Sequence, residues 1–143
     1  MGVASALIFA NFGAAYGTAK CSIGISNLGT VQPDKIFRSL VPIIMAGILG
    51  IYGLIVSVLL VSRVNDLKTG VEHAEKCFKI MAAGFCCGLS AFASGIAIGV
   101  AGDAGVRAYA QTDGIFIGMI LILIFGEAIG LYGLIVAIII SAD

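Results

Sequence analysis

Glu127 is the only charged residue in a stretch of 29 positions, 114–142. Thirteen uncharged residues precede it there and fifteen follow, so a helix through the stretch sets its carboxyl near a bilayer midplane. An ionised carboxylate at that depth is costly, and acids inside membrane segments read as functional by default. Desolvation favours the neutral, protonated form, and a nearby cation favours the charged one. A carboxyl that alternates between the two states carries a proton. No Lys or Arg of the chain is expected at that depth, since Lys20 ends the first uncharged stretch near a helix terminus. The compensating cation must then come from another chain. The bland alternative is a permanently neutral, structural glutamate.

Other reactive side chains carry weaker signals. Cys21, Cys77, Cys86 and Cys87 lack the CxxC spacing of a zinc or redox site and read as small buried hydrophobes. His73, among Glu72, Glu75 and Lys76, reads as a solvated surface histidine. Asp103 and Arg107 stand at i and i+4, the spacing of an ion pair at a helix end. A contact to a soluble partner is the functional reading of the same pair. Asn11 and Ser94 are polar within apolar stretches, where hydrogen bonding between helices is the expected use. There is no GxxxxGK[ST] phosphate loop, so no nucleotide site is expected, and neither a metal nor a cofactor.

The elements that must position these residues follow from composition. Of 143 residues 60% are hydrophobic and only 11% are charged, whereas a soluble domain carries about 25% charge to wet its surface. Mean hydropathy is +1.14. With 8 Lys+Arg against 8 Asp+Glu there is no basic excess to bind nucleic acid. Uncharged windows cover 1–19, 39–62, 80–102 and, apart from Glu127, 114–142. About 20 apolar residues cross a bilayer as a helix. Unbroken rather than alternating apolar runs disfavour a barrel. The reading is an all-α membrane protein with four transmembrane helices, at about 1–26, 39–62, 77–105 and 114–141. Residues 1–143 form one membrane domain, divided into a first hairpin, 1–66, and a second, 67–143. Residues 1–19 have neither the basic n-region of a signal peptide nor a myristoylation signal. A short leader ahead of the first helix is expected. Basic residues number four on each predicted face, so charge does not orient the chain.

The halves repeat. Val31-Gln32-Pro33-Asp34-Lys35-Ile36-Phe37 parallels Ala110-Gln111-Thr112-Asp113-Gly114-Ile115-Phe116. Gly50-Ile51-Tyr52-Gly53-Leu54-Ile55-Val56 parallels Gly130-Leu131-Tyr132-Gly133-Leu134-Ile135-Val136, with six identities in seven. Two tandem-duplicated hairpins in one orientation follow. In that register Gly47 stands where the second hairpin has Glu127, so each chain carries one carboxyl at that depth. Gly13, Gly17 and Gly24 on the first helix, and Gly88, Gly95 and Gly99 on the third, make small-residue stripes that let helices approach closely. Packing between chains of a ring is the favoured use; packing inside one bundle is the alternative.

Leu121–Val136 resembles the fourth helix of the proteolipid c subunits of vacuolar (V-type) proton ATPases. Gly13-Ala14-Ala15-Tyr16-Gly17-Thr18-Ala19-Lys20 and Gly102-Asp103-Ala104-Gly105-Val106-Arg107 resemble the same family, and the likeness covers nearly the whole chain. Gly126 departs from the Ala or Ser of many relatives. The resemblance implies a ring of identical or homologous c-type subunits turning against a stator. The stator supplies an arginine, and a central-stalk connector joins the ring to a soluble ATPase head. It implies Glu127 as the proton carrier, surrounded by Tyr52, Gly47, Leu49 and Gly126, with the Tyr52 hydroxyl as a donor to it. Sodium-carrying relatives have a Thr-Gln pair where this chain has Ile48-Leu49, which implies the proton as the ion. It further implies a vacuolar or other acidic endomembrane, lumenal termini and cytoplasmic loops at 27–38 and 106–113. The chain would be a non-catalytic part of an ATP-hydrolysing pump. A passive pore, a structural tetraspan protein or a small secondary transporter are the competing readings.

Overall fold

The structure, a computed structural model, describes residues 1–65 and 72–142, without the side chains of Glu72 and His73. The expectation for His73 therefore lies outside the described residues, as does Lys68. Four α-helices carry the chain: α1 (Gly2–Val31), α2 (Val41–Asn65), α3 (Glu72–Gln111) and α4 (Ile115–Ala142), with two short 3-10 turns between α1 and α2.

α1 ends where Pro33 forces the preceding residue out of helical geometry; Gln32 sits at φ −140°, ψ 82°. Helices 1 and 3 outrun the uncharged windows at both connections. With 40 residues, α3 is about 60 Å long, twice the hydrocarbon thickness. A window stops at the first charge, whereas a helix continues into water until a turn signal breaks it. The connections are correspondingly shorter than 27–38 and 106–113. Lys20 is moved by the same effect: it lies well inside α1, beside Gly99, rather than near its end.

α2, α3 and α4 are each long and apolar enough to cross a membrane. α1 is diluted by Gly, Ser, Thr and Asn. It nevertheless runs parallel to α3 along its length: Gly2 faces Ile80 and Met81, Gly13 faces Ala91 and Phe92, Gly24 faces Asp103. Sharing α3's direction and depth, α1 crosses where α3 crosses. α1 with α2 and α3 with α4 pack antiparallel, which gives two hairpins in one orientation.

The six glycines expected at contacts between chains lie at the contact between α1 and α3 of one chain. A Cβ on Gly13 would stand 2.6 Å from the Ala91 carbonyl oxygen, and one on Gly88 2.7 Å from that of Ser5. One on Gly17 would stand 2.9 Å from the Gly95 oxygen, and Gly24, Gly95 and Gly99 are equally close to the facing helix. Without a hydrophobic drive in lipid, this backbone proximity supplies the packing attraction. Their glycine hydrogens are thus used within the bundle.

Two apolar clusters fill the interior. One, near the connections, gathers Leu28, Leu49, Ile98, Val106 and Leu123; the other, toward the termini, gathers Ala6, Val56, Leu60, Cys87 and Ala137. Tyr52 packs against both. Most of the outer surface is aliphatic, as lipid or a neighbouring helix requires. At the connections, Lys35 pairs with Asp113 across the two hairpins and lies 4.9 Å over the Tyr109 ring.

Glycine packing makes a sharp contrast. Gly13→Leu should cost about 1–3 kcal/mol or more through overpacking and lower the yield of folded chain. Gly118→Leu, with no described atom within 4 Å of its Cβ position, should be near neutral. Thermal melts in detergent compare the two.

Candidate proton-binding site

Glu127 lies on α4, half-buried, at the level where the two apolar clusters meet. Its neighbour in α2 is Tyr52, whose hydroxyl donates to Glu127 Oε1 at 3.0 Å. A phenol is the right partner here: it donates to a carboxylate, and equally to the unprotonated oxygen of a neutral acid. Among the described residues no ion pair involves Glu127.

α3 holds both partners from behind. Ser94, fully buried, donates through Oγ to the Gly126 carbonyl at 2.7 Å. That bond fixes the α4 backbone one residue ahead of the carboxyl. One and two turns toward the other end of α3, Ser90 lies against Gly133, and the Cys87 thiol lies 3.8 Å from the Tyr52 carbonyl oxygen. Leu49, also fully buried, closes the space toward Gly130, where an added Cβ would stand 2.7 Å from Leu49 Cδ2. Gly126 leaves room for Ile98, 3.2 Å from its would-be Cβ.

Tyr52, Leu49 and Gly126 are thus gathered around Glu127, and Gly47 is not. Gly47 matches Glu127 in the repeat but belongs to the first hairpin, and it opens on a groove with Leu7 and Asn11 of α1. Repeat register gives equal depth, not contact. Ser94 joins α3 to α4 as expected of an intramembrane hydroxyl, whereas the Asn11 amide donates within its own helix, to the Leu7 carbonyl at 2.9 Å. Cys21 and Cys87 are buried as expected, but Cys86 is only partly covered and Cys77 is exposed, because α3 extends into water there. Asp103 and Arg107 form the expected ion pair at 2.8 Å. That the Ser94 bond falls on the carbonyl next to Glu127 was missed in the sequence, which gives a hydroxyl's depth but not its partner.

Among the described residues no group of three His, Cys, Asp or Glu side chains could hold a metal. What the arrangement can do is hold one half-buried carboxyl in mid-helix, with one phenol as its hydrogen-bond donor.

Comparison with known proteins agrees with the two-hairpin architecture. The family of the ATP synthase C subunit matches twice, over residues 1–60 and 81–140, one match per hairpin. The chain is 54% identical over 143 residues to the V-type proton ATPase 16 kDa proteolipid c subunit of Ascaris suum, covering 100% of this chain and 88% of that protein. The chain belongs to the V-type proton ATPase proteolipid family. A 16 kDa proteolipid c subunit of Caenorhabditis elegans is 53% identical over the same length, again covering 100% of this chain and 88% of the relative. The human 16 kDa proteolipid is 50% identical over 141 residues, covering 99% of this chain and 88% of the human protein.

The hydroxyl–carboxyl bond is open to a direct check. Carbodiimides modify protonated carboxyls in apolar settings, and the bond from Tyr52 holds the Glu127 carboxyl against α2, away from the reagent. Membrane hydrogen bonds average about 0.6 kcal/mol, so Tyr52→Phe should quicken modification of Glu127 about threefold, read by mass spectrometry over time. An unchanged or slower rate would mean that the phenol does not hold the carboxyl.

Proposed function

We propose that this chain is a subunit of the proton-translocating rotor ring of a V-type ATPase, and that Glu127 is its proton carrier. The observation that carries the reading is a single half-buried carboxyl in mid-helix, bonded to a phenol and flanked by apolar clusters. Protonated, Glu127 is neutral and can travel against lipid as the ring turns. Ionised, it cannot leave a polar partner without a large penalty. A stator arginine stabilises the ionised form and releases the proton to one aqueous half-channel, and a second half-channel reloads the site. Tyr52 holds the carboxyl inward between these events, which keeps the acid closed while it passes lipid.

The transported ion is the proton. Sodium needs several oxygen ligands, and among the described residues Tyr52 Oη is the one side-chain oxygen bonded to the carboxyl. Its partners are further c-type subunits, the stator, a central-stalk connector and a soluble head that hydrolyses ATP. The setting is a vacuolar or other acidic endomembrane, with lumenal termini and with the connections at Lys35 and Asp113 toward the cytoplasm. The outer faces of α2 and α4 are chiefly apolar, whereas a passive pore would need a file of polar side chains.

Glu127→Gln keeps size and polarity but has no proton to release. Vesicles carrying only this variant should assemble the complex and show no ATP-driven acidification. Glu127→Asp, shorter by one methylene, should retain partial activity at best. Acidification at the wild-type rate by Glu127→Gln would remove Glu127 from the mechanism.

A further inference from the structure

The contact between the hairpins of one chain is a template for the contact between chains. Inside the chain, Tyr52 of α2 reaches Glu127 of α4, and Leu49 of α2 fills the space left by Gly130 of α4. In the repeat, Tyr52 corresponds to Tyr132, Leu49 to Ile129, Glu127 to Gly47 and Gly130 to Gly50. If hairpins follow one another around a ring, α4 of one chain meets α2 of the next as α2 meets α4 within the chain.

Both halves of that second contact lie open. Tyr132 is 64% exposed and Ile129 43%. Opposite them in the repeat, Gly47 has no described atom within 4 Å of its Cβ position. It floors a groove of about 300 Å3 between α1 and α2, lined by Leu7, Asn11, Gly47, Gly50, Ile51 and Leu54. The groove also holds a polar group. Asn11 Nδ2 is taken by the Leu7 carbonyl. Its Oδ1 turns toward α2 and lies 2.9 Å from where a Cβ on Gly50 would stand.

We propose that this groove seats Tyr132 of a second copy of the chain, with its phenol O–H donated to Asn11 Oδ1. The inference rests on the ring reading above. Side chains on a helix lean toward its N-terminus, so the Tyr132 hydroxyl arrives near the level of Gly50 on the second copy, where Asn11 waits. Ile129 then covers Gly50 as Leu49 covers Gly130. The first hairpin has no carboxyl at this depth, so a phenol placed there needs another acceptor, since a buried hydroxyl without one is costly. The amide supplies it. Each ring thus has two kinds of tyrosine seat in alternation: a titrating one, Tyr52 on Glu127 within a chain, and a fixed one, Tyr132 on Asn11 between chains.

The test is a photoreactive phenylalanine analogue at position 132 of one copy, co-expressed with a second copy that carries an epitope tag. The expected product is a cross-link between copies that maps to residues 7–15 or 47–54. A second arm fills the groove. Gly47→Phe meets open space inside its own chain, so the chain should fold, but rings should fall to monomers in detergents where wild-type rings persist. Adding Tyr132→Ala should restore at least half of the ring population. Rings that survive Gly47→Phe unchanged, or cross-links that stay within a chain or reach only lipid, overturn the seat and leave the rotor reading standing. Wild-type chain that yields only monomers overturns both.

Discussion

The structure depends on the cost of a carboxylate in hydrocarbon. α4 is apolar throughout its span apart from Glu127, and in such a medium a lone acid is costly when ionised. Tyr52 offers the carboxyl one donor, between the two apolar clusters, and the Ser94 hydroxyl is taken by the neighbouring Gly126 carbonyl. A more generous set of ligands would bind the ionised acid too well or admit another cation.

A carboxyl at the outer edge of a bundle needs a backbone that does not yield, and α3 provides it. On one face α3 meets α1 at distances only glycine permits. On another it holds α4 through Ser94 and touches α2 through Cys87. The two helices that carry Glu127 and Tyr52 are thus registered on one common support. Close packing inside the chain and placement of the hydrogen-bonded Tyr52–Glu127 pair are the same construction, seen at different depths.

Much of this was legible in the sequence, and the limits have physical causes. Glu127 stood out because a lone acid in 29 residues has no bland surface to occupy. The repeat of Gly50–Val56 in Gly130–Val136 gave the parallel hairpins, and α1–α3 contacts agree with it. Helix ends were misplaced because charge marks the edge of hydrocarbon, while Pro33 and the turn at Thr112-Asp113-Gly114 end the helices themselves. The glycine stripes revealed close approach but not which helix approaches, since a spacing of four or seven has no address. Gly47 was drawn into the site for a related reason: a repeat preserves depth and alters neighbours. Ser94 was invisible as a positioning group because its meaning lies in a carbonyl 32 residues away.

The glycine at position 47, where the second hairpin has Glu127, sets the gearing of the proposed machine. Gly47 leaves the first hairpin without a carrier, so each chain moves one proton per turn, and the energy of ATP hydrolysis is divided among fewer protons than in a ring with a carboxyl on every hairpin. Each proton can then be driven against a steeper gradient, which suits an acidifying pump. The most direct measurement counts protons delivered per complete rotation by a reconstituted complex whose ring has been sized by projection imaging. For a ring built of this chain, the count should equal the number of chains. A count of two protons per chain would contradict the account, because it would require a second carrier that the first hairpin does not have.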